Sequence, residues 1–222
     1  MTFLSNKINR FILIVLFLGL FFSCTQTELN DISNKPLNDS ISLIDTADYN
    51  YLKKKYTLND TSYLNRFEQE VLSYEKLDTI NYSRKSNIVF AGSSTMRFWN
   101  RRLEKDMQPL PVIGRGFGGS TLIDNIYYFD RLILPCKPVI EVFYCANDYL
   151  RTPSTIVELF RYYDYLFHSH FPNSTLYFVS INPSVARKDY NKNVENANKL
   201  IYEYTKNKSK TKFIGNYSAP LY

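Results

Sequence analysis

Four apolar strand-like runs, each ending near glycine, asparagine or serine, alternate along this chain with stretches of helical period. Ile88 to Phe90 is a β-branched and aromatic run that breaks at Gly92 into Ser93 and Ser94, the pattern of a buried strand delivering two hydroxyl groups into a turn. Short strands are predicted near Val112 and Ile113, from Val139 to Tyr144, from Leu176 to Ile181 and, more weakly, from Lys212 to Ile214. Between and before them lie helical patterns. Leu64, Phe67, Val71 and Tyr74 share one face of a helix over about 64–77, and a second helix is predicted from about Thr121 to Leu132. Ile156, Leu159, Phe160, Tyr163 and Phe167 mark a third over about 155–167, and Val194, Ala197, Ile201 and Tyr204 a fourth. Thr121 with Asp124 and Thr155 with Glu158 have capping-box spacing. Apolar strands alternating with helices predict a three-layer α/β/α domain on a flavodoxin-like parallel sheet. Right-handed crossovers then bring the turns after Gly92, Ile113 and Tyr144 to one sheet edge.

The amino end follows another pattern. Lys7 and Arg10 precede an apolar run from Phe11 to Phe22, followed by Ser23 and Cys24. Residues 1–23 therefore read as a secretory signal, too short for a comfortable membrane span. The Phe21-Phe22-Ser23-Cys24 junction resembles a bacterial lipobox, which implies a lipidated Cys24; an ordinary cleavage nearby or an uncleaved anchor remains open. Residues 24–60 are rich in Asn, Asp, Ser and Thr and read as a tether, leaving 61–222 as the globular domain.

With 45% hydrophobic and 16% aromatic residues, the chain can build one real core. Removing Lys7 and Arg10 from the 27 basic residues leaves 25 against 21 acidic ones, since no acidic residue precedes Cys24. That net +4 is dispersed, so no nucleic-acid partner is expected. Cys136 and Cys145 flank one predicted strand. Nine residues at about 3.3 Å each separate them far beyond the roughly 7 Å reach of a disulfide, so both are expected as free, buried thiols.

The chemistry concentrates in the three turns. Gly92-Ser93-Ser94-Thr95 resembles the nucleophile block of the SGNH (GDSL-type) hydrolases, with Ser93 where many members carry Asp. Gly114-Arg115-Gly116-Phe117-Gly118-Gly119-Ser120-Thr121 is similar to that family's glycine block, and Tyr144-Cys145-Ala146-Asn147-Asp148 to its Gly-x-Asn-Asp block. The resemblance implies the SGNH hydrolase fold and an ester hydrolase acting on a small-molecule or glycan ester. Ser94 is then the nucleophile, and the Ser94 and Gly119 backbone N–H groups with the Asn147 amide form the oxyanion hole. It implies no cofactor and no metal, a monomer, and membrane contact only through the N-terminal lipid at the cell envelope. Gly114 stands where relatives often have Asn and Cys145 where they have Gly, which predicts weaker support for the glycine loop and a less free backbone at 145.

The glycine block also spells G-x-G-x-x-G, but it does not follow the first strand, no acidic residue sits at the next strand's tip, and an exported protein meets little NAD. A helix N-cap is the other reading of the serine pair. Arg97 is a candidate substrate contact or a structural ion pair. The Tyr127 to Arg131 run and Ser180-Ile181-Asn182-Pro183-Ser184 are expected to pack or wall the pocket. The resemblance also implies a base from an Asp-x-x-His block after the last strand, which does not occur in these 222 residues. Only His168 and His170 exist, and a helix begun near Thr155 carries them about 20 Å toward the opposite edge at 1.5 Å per residue. The reading is therefore a domain incomplete at its carboxyl end and slow as it stands, with a non-catalytic glycan-binding lipoprotein as the alternative.

Overall fold

The computed structural model describes residues 65–80 and 88–215; the signal, lipobox and tether assignments lie outside them. A 3-10 turn, Asn65–Phe67, leads into α1, Glu68–Ile80, followed by β1, Ile88–Gly92. The chain continues through α2 (Ser94–Met107), β2 (Val112–Gly116), α3 (Leu122–Tyr127), α4 (Phe129–Leu132) and β3 (Ile140–Tyr144). Then come α5 (Pro153–His170), β4 (Thr175–Val179), α6 (Asn191–Thr205) and β5 (Thr211–Ile214). The five strands form one parallel sheet in the order β2-β1-β3-β4-β5. This is the doubly wound order whose switch point, between β1 and β3, is where such folds bind ligands.

The crossover directions explain the layers. Only the β1-to-β2 connection runs toward the left edge, so right-handedness sends α2 to one face and α3, α5 and α6 to the other. Val89 and Ala91 accordingly pack with Phe117, Phe143, Phe160 and Ile201 in the larger core. Ile88 and Phe90 pack on the other face with Met96, Leu103 and Met107 of α2. Such strands are apolar on both sides because both faces are covered.

Several expectations need correction. The sequence pattern did not disclose α2, whose fully buried stripe is only Met96, Leu103 and Met107 within a strongly charged segment. Its packing comes from partners elsewhere: Trp99 stands edge-on to Phe90 at 5.1 Å and donates from Nε1 to Asp106 at 2.9 Å. The helix expected over 121–132 is broken at Tyr128, which is fully buried and edge-on to Phe117 and Tyr127. Arg131 then pins α4 to α1 through bidentate contacts with both Glu68 and Glu75. The Thr121–Asp124 capping box forms, but α5 starts earlier than Thr155. Thr152 caps it by accepting from Thr155 N–H, with Pro153 at the first helical position, where its missing N–H costs nothing. Cys136 and Cys145 are free thiols; Cys145 is buried, whereas Cys136 is only partly so.

Two buried carboxyl groups behave oppositely. Asp164 on α5 is opposed by burial, but the hydrogen bond from His168, the Lys208 charge and bonds from Thr211 and Tyr204 outweigh it and bring its pKa down to about 2. Glu141 on β3 accepts a hydrogen bond from the Tyr163 hydroxyl, yet burial pushes its pKa up to about 8.

Candidate active site

The turns after β1, β2 and β3 meet at the carboxyl edge of the sheet. Gly92 ends β1 with φ +125°, and Ser93 N–H donates to Tyr144 O at 2.9 Å while Phe117 N–H donates to Gly92 O at 3.0 Å. These bonds tie the β1 turn to both neighbours. Ser93 is buried, and its Oγ accepts from Ala146 N–H at 3.4 Å. Ser94, the first residue of α2, is partly exposed, and its hydroxyl has no hydrogen-bond partner among the described residues. Although Ser93 holds the N-cap position, its side chain makes no capping bond, so capping does not account for the serine pair. The amino end of a 14-residue helix lies at Ser94, where the helix dipole favours negative charge.

Ser120 laces the turns together. Its Oγ donates to Phe117 O at 3.0 Å and lies 3.2 Å from Gly92 O, and its carbonyl accepts from Asn147 Nδ2 at 2.9 Å. Asn125 steadies it, donating to Ser120 Oγ at 3.2 Å and to Thr121 O at 2.8 Å. Beside it, Gly119 takes φ +81°, is exposed, and its N–H has no partner among the described residues. An added Cβ there would meet nothing within 4 Å, so the approach to this N–H is open.

Asp148 supports the third turn from below. Buried, it accepts from Leu122 N–H at 2.8 Å and from Arg151 Nε at 2.9 Å, linking the β3 turn to the start of α3. Burial raises its carboxyl above the ordinary carboxylate range against those two donors. Cys145 beside it donates to Ser120 O at 3.4 Å, and burial and the Asp148 charge push its thiol well up, so it is no nucleophile at neutral pH.

The expected weaknesses at 114 and 145 are not found. The Asn100 side chain occupies the space beside Gly114, where a Cβ would lie 1.9 Å from its Oδ1, and Asn100 donates to Tyr74 Oη at 2.8 Å. Tyr74 in turn donates to Gly116 O, so α1 and α2 brace the strand leading to the glycine turn. Cys145 does not have positive φ. Arg97 forms an ion pair with Glu70, which also accepts from Gly118 N–H at 3.4 Å. Arg97 and Glu70 edge a cleft of about 220 Å³ between α1 and α2 that also touches Phe98; it lies one turn along α2 from Ser94 rather than over it.

Neither histidine approaches this edge. His168 Nε2 lies 3.0 Å from Thr211 Oγ1 at the start of β5 and 3.4 Å from Asp164, while His170 packs against Phe129 and Phe171. Arg187 also reaches this edge, although no sequence motif includes it. Its Nη1 donates to Ala146 O at 3.1 Å and its Nη2 to Asn147 Oδ1 at 3.4 Å. The only hint in the sequence was its place just after the Ser180–Ser184 segment.

No protein-family model and no curated protein match the sequence. Solved structures do. A protein from Streptococcus pneumoniae, provisionally described as a platelet activating factor, is 15% identical and superposes with a TM-score of 0.59 over 77% of this chain and 80% of its own. A GDSL-like lipase from Bacteroides thetaiotaomicron is 18% identical, with a TM-score of 0.53 over 71% of this chain and 83% of its own. A Bacteroides fragilis protein, provisionally described as an acylhydrolase, is 19% identical, with a TM-score of 0.51 over 57% and 65%. At these identities the likeness is one of fold: the chain has the three-layer α/β/α fold of the SGNH (GDSL-type) hydrolases.

Proposed function

We propose that this domain is a serine ester hydrolase of the SGNH type, with Ser94 as nucleophile. The observation that carries the reading is the lacing of three sequence-distant turns through Ser120, beside a Ser94 hydroxyl and a Gly119 N–H that have no partners of their own among the described residues. Ser94 Oγ attacks the ester carbonyl carbon, the alcohol leaves with the serine proton, and water cleaves the acyl-serine to release the acid. Negative charge gathers on the carbonyl oxygen in both steps. The Ser94 and Gly119 N–H groups and the second Asn147 Nδ2 hydrogen are the donors that meet it, and one such donor is worth about 3 kcal/mol. Acyl groups on carbohydrate are the substrate class to try first.

The positions of His168 and His170 favour a second reading, a binding module using the same three turns without turnover. A serine without a base is a weak nucleophile, and enzymes stripped of a triad member keep only about 10³ to 10⁴-fold over water. The 222-residue chain is therefore expected to hydrolyse a short-chain aryl ester slowly, and a serine-directed phosphonate to label wild type but not Ser94→Ala. Identical labelling and turnover in both proteins would remove Ser94 from the chemistry, and glycan binding without turnover would favour the binding module.

We also propose that lipid on Cys24 holds the domain at the envelope, the reading supported by the apolar run that ends in Ser23 and Cys24. Feeding cells a fatty-acid analogue is expected to label wild type and not Cys24→Ser; equal label on both would end the proposal.

A further inference from the structure

Arg187 lies outside the three turns, on the 3-10 turn Val185–Tyr190 that follows β4, and its own backbone leaves the helical region at φ −130°, ψ 34°. Its guanidinium reaches back to the β3 turn, with Cζ 4.1 Å from the centroid of the Tyr149 ring in addition to the bonds to Ala146 and Asn147. No ion pair with a carboxylate is made by Arg187 among the described residues. A planar guanidinium held over an aromatic ring, with two N–H groups on two oxygens of one turn, is a fixed device rather than a solvated surface charge.

What it fixes is the Asn147 amide. Nδ2 donates to Ser120 O while Oδ1 accepts from Arg187, so both ends of the amide are assigned. Turning the amide over would set its NH₂ against the guanidinium and its oxygen against the Ser120 carbonyl, two like-on-like contacts. We propose that Arg187 is a positioning residue that acts through Asn147, holding Oδ1 so that Nδ2 keeps its second hydrogen free for a developing oxyanion. This rests on the ester-hydrolase reading for its purpose, but the Arg187–Asn147 coupling itself can be measured without turnover.

The test uses the full chain labelled with ¹⁵N, in which the Asn147 side-chain amide pair is identified by its loss in Asn147→Ala. Arg187→Ala is expected to move that pair, Arg187→Lys to move it less, and Val185→Ala, on the exposed side of the same turn, to leave it in place. An unmoved pair in Arg187→Ala overturns the proposal whether or not the chain turns over ester. Where Ser94-dependent turnover is present, Arg187→Ala is expected to lower kcat by about tenfold, the scale of one hydrogen bond to a charged group. KM should stay within about twofold, and the same substitution on the Asn147→Ala background should change kcat by less than about twofold, since residues acting through one contact are not additive. Equal losses on both backgrounds would make Arg187 a mere clamp on the loop and overturn the proposal. Absence of Ser94-dependent turnover in wild type would count against the hydrolase reading, and the amide spectrum alone would then decide the role of Arg187.

Discussion

Replacing Gly92 by alanine is expected to destabilise the protein by about 3 to 5 kcal/mol, at the severe end for a single substitution. An added Cβ would lie 1.9 Å from Tyr144 O and 2.6 Å from Tyr144 C, both backbone atoms of the adjoining strand, so no side-chain rotation relieves the clash. The φ of +125° is also outside the range alanine adopts without strain. The only escape separates β1 from β3 at their carboxyl ends. That breaks the Ser93 N–H bond to Tyr144 O and moves Ser94 away from the turns it faces. Gly119→Ala makes the useful contrast: it meets no neighbour, so only its φ of +81° is strained, at about 1 kcal/mol or little more. Denaturant unfolding of the two variants should differ clearly in midpoint. A Gly92→Ala protein within about 1 kcal/mol of wild type would show that the β1–β3 contact is looser than described.

Stability should fall as pH rises from about 4.5 to 8, and Glu141→Gln should abolish most of that fall. Glu141 faces the larger core, paired in register with Val89 and Leu176, and its side chain is fully buried with Oε2 unpartnered. Burial holds its pKa at about 8, against about 4.5 for a solvated glutamate, although the hydrogen bond from Tyr163 pulls the other way. Below the unfolded value both states carry the proton and nothing is lost. Between the two values the unfolded chain releases it while the folded protein retains it, so each pH unit costs up to about 1.4 kcal/mol and the whole interval on the order of 3 to 5 kcal/mol. Above about 8 the loss is complete. Asp164 works in the opposite sense, its contribution being lost only as pH falls from 3.8 toward about 2, so the two windows do not overlap. Unfolding free energies measured between pH 5 and 8 in wild type and Glu141→Gln decide the matter: parallel curves would show that Glu141 does not titrate in this interval.

Much of the architecture was legible in the residues alone. Apolar runs such as Ile88 to Phe90 and Val142 to Tyr144 are buried on both faces because a parallel sheet is covered on both faces, so composition and length suffice to find them. Chain chirality then places the turns carrying Ser94, Gly119 and Asn147 at one edge without reference to any contact. The same arithmetic put His168 and His170 at the other edge, because 1.5 Å of rise per residue is a property of the helix and not of its surroundings.

Contacts between sequence-distant groups were decided only by the tertiary structure. The α2 stripe is too narrow to announce itself, since Phe90 and the glycines of β2 supply the surface it packs on. Gly114 and Cys145 looked like departures that would loosen the site, yet Asn100 fills the space at one and the chain needs no positive φ at the other. Glu141 reads in sequence as a polar residue within a strand, and only the core that closes over it raises its pKa, against the hydrogen bond from the Tyr163 hydroxyl that arrives 22 residues later on α5. Arg187 carries no local signal beyond its place after the Ser180–Ser184 segment, because its meaning lies in two oxygens some 40 residues earlier. Periodicity, capping and handedness act along the chain and are written in it; desolvation and hydrogen-bond pairing depend on which distant group arrives, and no local pattern encodes that.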